Sequence, residues 1–158
     1  MGLKIGGTLG KMAEGAKKKL KGIKIKDASD FFEKLGSDFQ HIPEDAKKAV
    51  KDINDELTRL NLNFNELLDD ALGKSAEKLN EAPTPEEYAN EMALELAKKY
   101  RERDGSSAEQ CPKVVKGLLV ALGASMKLES GQTENMYADS LIDNREAAAN
   151  LGCSGAFK

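Results

Sequence analysis

An all-α fold is what this 158-residue sequence predicts: a bundle of about five to six helices around one long central helix, with a basic N-terminal arm. Three observations carry that expectation. Ala46, Val50, Ile53, Leu57, Leu60, Phe64, Leu67 and Ala71 recur at alternating spacings of four and three. A repeat of about 3.5 residues nearly matches the helical turn, so all eight fall on one stripe. Aromatic residues make up 5% of the chain and tryptophan is absent, while Ala, Leu, Lys and Glu abound, a composition of helices rather than sandwiches or barrels. Nor does any stretch alternate apolar and polar residues in the manner of a half-buried strand.

From the N-terminus, Leu9, Met12, Ala16, Leu20 and Ile23 fit an amphipathic helix, which six glycines between positions 2 and 22 oppose. A glycine inside a helix costs up to about 1 kcal/mol relative to alanine, so this arm is expected to become helical on a surface rather than alone. Ser29 to Leu35 forms a short helix with Phe31, Phe32 and Leu35 inward, and Gly36 suits its end. Pro43 fits a first helical turn, followed by Glu44 and Asp45 where the helix dipole favours negative charge. The long helix then runs to Leu72 with Gly73 as its stop, about 45 Å for thirty residues. Its weak point is Asn61, Asn63 and Asn65, because asparagine competes for backbone hydrogen bonds.

A short continuation, Lys74 to Glu81, ends at Pro83. Thr84-Pro85-Glu86-Glu87 is a capping-box start for a helix reaching Arg103, with Tyr88, Met92, Leu96 and Tyr100 inward. Asp104-Gly105-Ser106-Ser107 is a turn. A helix follows from Ala108 to Leu128, with a bend or restart at Pro112. Thr133 caps a last helix to Asn150, closed by Gly152.

Six large members of the central stripe are each worth about 1.5–3 kcal/mol when buried, on the order of 9–18 kcal/mol together. That face needs a cover, from neighbouring helices or from a second copy of the chain. Its flanks, Ala49, Asn54, Asn61, Asn63 and Leu68, offer little ion pairing for a coiled-coil seam, which favours the intramolecular cover over a homo-oligomer.

The net charge of -3 hides an asymmetry. Residues 1–26 hold Lys4, Lys11, Lys17, Lys18, Lys19, Lys21, Lys24 and Lys26 against Glu14, about +7 by counting, whereas residues 27–158 carry about -10. The expected organisation is therefore a basic arm, residues 1–26, on an acidic helical domain, residues 27–158. The eight lysines are the candidate site, and an anionic membrane surface is the leading partner, since each lysine near such a surface contributes about 1 kcal/mol. A protein partner with an acidic face is a second possibility. Nucleic acid is disfavoured, because the arm has no arginine to read guanine and no aromatic residue to stack on bases. A soluble inhibitory module acting through the acidic helices is the rival reading, and an exported or injected effector is a sharper form of the first.

Catalytic and cofactor patterns fail one by one. His41, the sole histidine, sits in a loop, which excludes multi-histidine metal sites. Gly73-Lys74-Ser75 ends like a phosphate loop, but Leu68 stands where a glycine is required. Asp52 to Glu56 lacks the glycine of a calcium loop, and Ile53 belongs to the stripe. No catalytic constellation and no cofactor motif remain, so a non-enzymatic protein is expected. Position 6 is Gly rather than Ser or Thr, against myristoylation, and Cys153 lies too far from the end for prenylation. No run reaches the roughly 18 apolar residues of a membrane span. The sequence leaves the compartment open between the cytoplasm and export without an N-terminal signal, and either is compatible with peripheral membrane attachment. Cys111 and Cys153 are either two reduced thiols or one disulfide; the first is the ordinary cytosolic state, the second implies an oxidising compartment.

Overall fold

The computed structural model describes residues 14–35, 42–81, 84–130 and 136–157, and no strand occurs among them. Residues 14–22 are helical (α1). A 3-10 turn, Ala28–Asp30, leads into α2 (Phe31–Leu35), followed by α3 (Glu44–Asp52), α4 (Asn54–Arg59) and α5 (Phe64–Glu81). Then come α6 (Pro85–Arg101), α7 (Cys111–Ser130), α8 (Met136–Asp143) and α9 (Arg145–Ala156). The protein is all-helical.

Local chemistry sets most of these ends. Asp27 caps the 3-10 turn by accepting from the Ser29 N–H, while the Asp30 carboxylate accepts from the Asp27 N–H at 3.1 Å. Thr84 accepts from the Glu87 N–H at 3.1 Å, and Pro85 occupies the first turn of α6. Pro112 likewise falls in the first turn of α7, where its missing N–H is not needed, so of the bend or restart expected there the helix makes a start.

The eight-residue stripe is buried along its whole length within one chain, but it does not lie on one helix. Between α4 and α5 the backbone turns through Leu60–Asn63, and Asn61 adopts a left-handed conformation at φ 56°. Asparagine tolerates that conformation better than other side-chain-bearing residues. The Asn63 carboxamide then caps α5, accepting from the Glu66 N–H at 3.0 Å. Arg103 stabilises the break from a distant part of the chain, donating to the Leu60 and Asn61 carbonyls at 2.8 and 2.9 Å. Those are carbonyls that a helix end leaves without partners.

The centre of the bundle is therefore not the 43–72 segment but α7, which packs against α3, α5, α6, α8 and α9. Every residue from Gly117 to Lys127 is buried. Glycines let neighbours approach it closely. A Cβ on Gly117 would lie 2.6 Å from the Ala49 carbonyl oxygen, and one on Gly123 would lie 2.8 Å from that of Ala138.

Two expected helix stops are corrected. Gly73 lies inside α5, under the Lys17 ammonium, and Gly152 lies inside α9, against the backbone of α6. The last helix is itself divided at Asn144, whose side chain donates to the Ser140 hydroxyl at 2.8 Å. Along α9, Ala148, Gly152 and Ala156 recur every four residues and face a region of α6 that presents Ala89, Ala93 and Ala97 at the same spacing. Small residues at that period give both helices smooth ridges, which permits close packing. Thr133 lies outside the described residues.

Cys111 and Cys153 form a disulfide, with Cα atoms 5.9 Å apart, tying the first residue of α7 to α9. Both are buried.

Candidate functional site

Residues 14–26 build the candidate site. The apolar side of the segment turns toward the body: Ala16 is fully buried, Ile25 nearly so, and Leu20 and Ile23 pack against the core. After α1 the chain tightens, with the Ile23 N–H donating to the Leu20 carbonyl and the Ile25 N–H to that of Ile23. Polar bonds hold the segment in place. The Asn65 carboxamide donates to the Ile25 carbonyl at 2.7 Å, the Lys19 ammonium to the Leu128 carbonyl at 3.1 Å, and Lys17 lies 3.8 Å from Asp69.

With the apolar side committed inward, the lysines face out. Lys18, Lys19, Lys21, Lys24 and Lys26 are exposed, and Lys17 is half-buried beside Asp69. The structure thus brings six of the eight candidate lysines onto one short segment. Lys4 and Lys11 lie outside the described residues, as does His41. No spacing argument revealed the other half of the site, which α5 supplies. Asn65, Glu66, Asp69 and Asp70 face Lys17, Lys21, Lys24 and Lys26 across a cleft of about 770 Å3. Its walls are charged. Its apolar lining comes from Leu20, Ile23, Ile25 and Leu68.

Two buried polar clusters elsewhere hold helices together. Ser75 of the Gly-Lys-Ser sequence is fully buried and hydrogen-bonds the Tyr88 hydroxyl, whose phenol is pushed well up by burial. In the other, the Glu56 carboxylate accepts from Arg59 at 2.7 Å twice and from the Tyr100 hydroxyl at 2.6 Å. The Tyr100 oxygen in turn accepts from the Ser107 N–H at 3.2 Å. Arg59 holds the Glu56 carboxyl below its ordinary value of 4.5 against the opposing effect of burial, and Tyr100 adds to the depression. Burial raises the Tyr100 phenol first, its hydrogen bond to Glu56 second.

A depressed carboxyl stabilises the fold above its unfolded value, and that contribution disappears as pH falls through the lower folded value. We therefore expect Glu56→Gln to cost about 1–3 kcal/mol at neutral pH, since Tyr100 and Arg59 lose a charged partner. Denaturant melts of both proteins between neutral and strongly acidic pH should show that difference shrinking once pH drops below 4.5. A difference constant with pH would rule out the ionised carboxylate as its source.

Among the described residues, no group of three His, Cys, Asp or Glu side chains is arranged to hold a metal ion. No helix among them is long and apolar enough to cross a membrane. Comparison with known protein families, with curated proteins and with solved structures finds no match.

Proposed function

We propose that this is a non-enzymatic helical interaction protein whose basic segment, within residues 1–26, docks onto an anionic surface, membrane lipid in the first instance. In this reading the remaining helices are an acidic scaffold that presents the segment. The observation that supports it is the outward display of Lys18, Lys21, Lys24 and Lys26 from a segment whose apolar residues pack inward. Four such charges supply on the order of 4 kcal/mol at a lipid surface, enough for reversible adsorption that salt weakens. Adsorption is electrostatic in this arrangement, because Ala16 and Ile25 are already covered by protein. The Cys111–Cys153 pairing fits an oxidising compartment, and with it an exported protein acting on a membrane from outside the cytosol.

The test is co-sedimentation of the full chain with phosphatidylglycerol or phosphatidylcholine vesicles, alongside a Lys18→Glu/Lys21→Glu/Lys24→Glu variant. Charge reversal is preferable to deleting residues 1–26, which would uncover the core contacts of Ala16 and Ile25. The wild type should pellet with the anionic vesicles at low salt and be released at high salt, and the variant should stay in solution. Equal pelleting of wild type and variant would sink the proposal.

A further inference from the structure

We infer that the cleft between residues 17–26 and α5 is a binding site for one molecule of a single-chain anionic lipid, its head on Lys21, Lys24 and Lys26 and its chain on Leu20 and Ile23. This rests on the anionic-lipid reading above and names the ligand that the same segment would take. The volume, about 770 Å3, lies within the range of small-molecule pockets.

Charge accounting across the cleft selects the head group. Asp69 is engaged by Lys17 at 3.8 Å, and Asp70 by Lys99 of α6 at 3.6 Å. Of the acids lining the cleft, Glu66 is left, facing Lys21, Lys24 and Lys26, none of which pairs with an acid among the described residues. The surplus is positive, so a net-negative head is matched better than a zwitterionic one. The apolar lining selects the rest of the ligand. Leu20 and Ile23 are only partly covered by the protein, so an acyl chain laid there removes apolar surface from water. A free phosphate would satisfy the lysines and leave that surface wet. A vesicle surface would meet Lys18 as readily as the cleft lysines, although Lys18 does not line the cleft.

The experiment is calorimetric titration of the full chain with myristoyl lysophosphatidylglycerol below its micelle-forming concentration. Glycerol 3-phosphate and myristoyl lysophosphatidylcholine serve as comparison ligands. Saturation at one lipid per chain is expected, with the choline lipid weaker by about tenfold or more and glycerol phosphate silent. Ile23→Trp, which fills the apolar lining without changing charge, should weaken lysophosphatidylglycerol about tenfold or more. It should leave phosphatidylglycerol vesicle sedimentation and the thermal midpoint unchanged. Should Ile23→Trp lower the midpoint, Lys26→Gln, which removes one head contact at an exposed position, takes its place with the same expected loss of lysophosphatidylglycerol binding and a much smaller loss of vesicle sedimentation, to which Lys18, Lys21 and Lys24 still contribute.

Absence of saturable binding overturns the inference. So does equal binding of the choline lipid, which would mean apolar contact alone, or binding of glycerol phosphate as tight as the lipid's. Undiminished binding by the variant would place the lipid elsewhere. Loss of vesicle sedimentation with retained lipid titration would count against the docking reading, and the reverse pattern against the cleft.

Discussion

Replacing Cys111 and Cys153 together by alanine should lower the free energy of unfolding by roughly 4 kcal/mol, the loss expected for a crosslink closing a loop of this length. The two residues are 42 apart, and they join the start of the central helix to the last helix of the chain. In the unfolded chain the bond removes the freedom of everything between them, which includes all of α8. In the folded protein both positions are buried, so the double variant also sheds apolar contact, and alanine avoids adding an unpaired hydroxyl. Denaturant unfolding of wild type and variant is the measurement. A drop in midpoint accompanied by a steeper dependence on denaturant is expected, since the uncrosslinked chain exposes more surface when it opens. A loss below about 1 kcal/mol would show that the unfolded chain is already restrained by other means.

Gly152→Ala should be the most damaging single-methyl addition available to the described glycines of α9. The new Cβ would stand 2.7 Å from the Ala93 carbonyl carbon, 2.8 Å from its oxygen and 2.9 Å from the Leu94 nitrogen. These are backbone atoms in the middle of α6 and cannot swing aside, so two helices must separate. Overpacking of this kind costs about 1–3 kcal/mol, and a valine at the same place should exceed it. The control lies three residues on. A Cβ on Gly155 would meet the Leu94 Cδ1 atom at 3.2 Å, the far end of a flexible side chain. Gly155→Ala should therefore cost far less, because the gain in helix propensity offsets a small adjustment. Thermal unfolding of the two variants side by side decides the matter: matching midpoints would mean that α6 and α9 yield to each other easily.

The fold class and the buried stripe were legible because periodicity is a local signal. All eight stripe residues are buried. The weak point at Asn61 was legible too, though not its outcome. Whether asparagine bends a helix or merely loosens it depends on who receives the released carbonyls, and here that is Arg103, 42 residues away from Asn61. Gly73 and Gly152 read as stops for a related reason. In isolation a glycine signals the end of a helix, whereas the value of Gly152 as a place of close contact appears only once Ala93 is brought against it.

The candidate site was half legible. Eight lysines in 26 residues announce themselves, but the opposing acids of α5 carry no mark that separates them from any solvated helix face. The state of the cysteines was beyond reach, since their 5.9 Å Cα separation is set by how α9 crosses the bundle.

The enclosure of α7 on all flanks limits how this molecule can respond to anything it meets. A shaft gripped along eleven consecutive positions, Gly117 to Lys127, can neither slide nor rotate without emptying the interior around it. The lysine strip is tied to the edge of that interior through the Asn65–Ile25 and Lys19–Leu128 hydrogen bonds. Such an architecture suits a rigid handle.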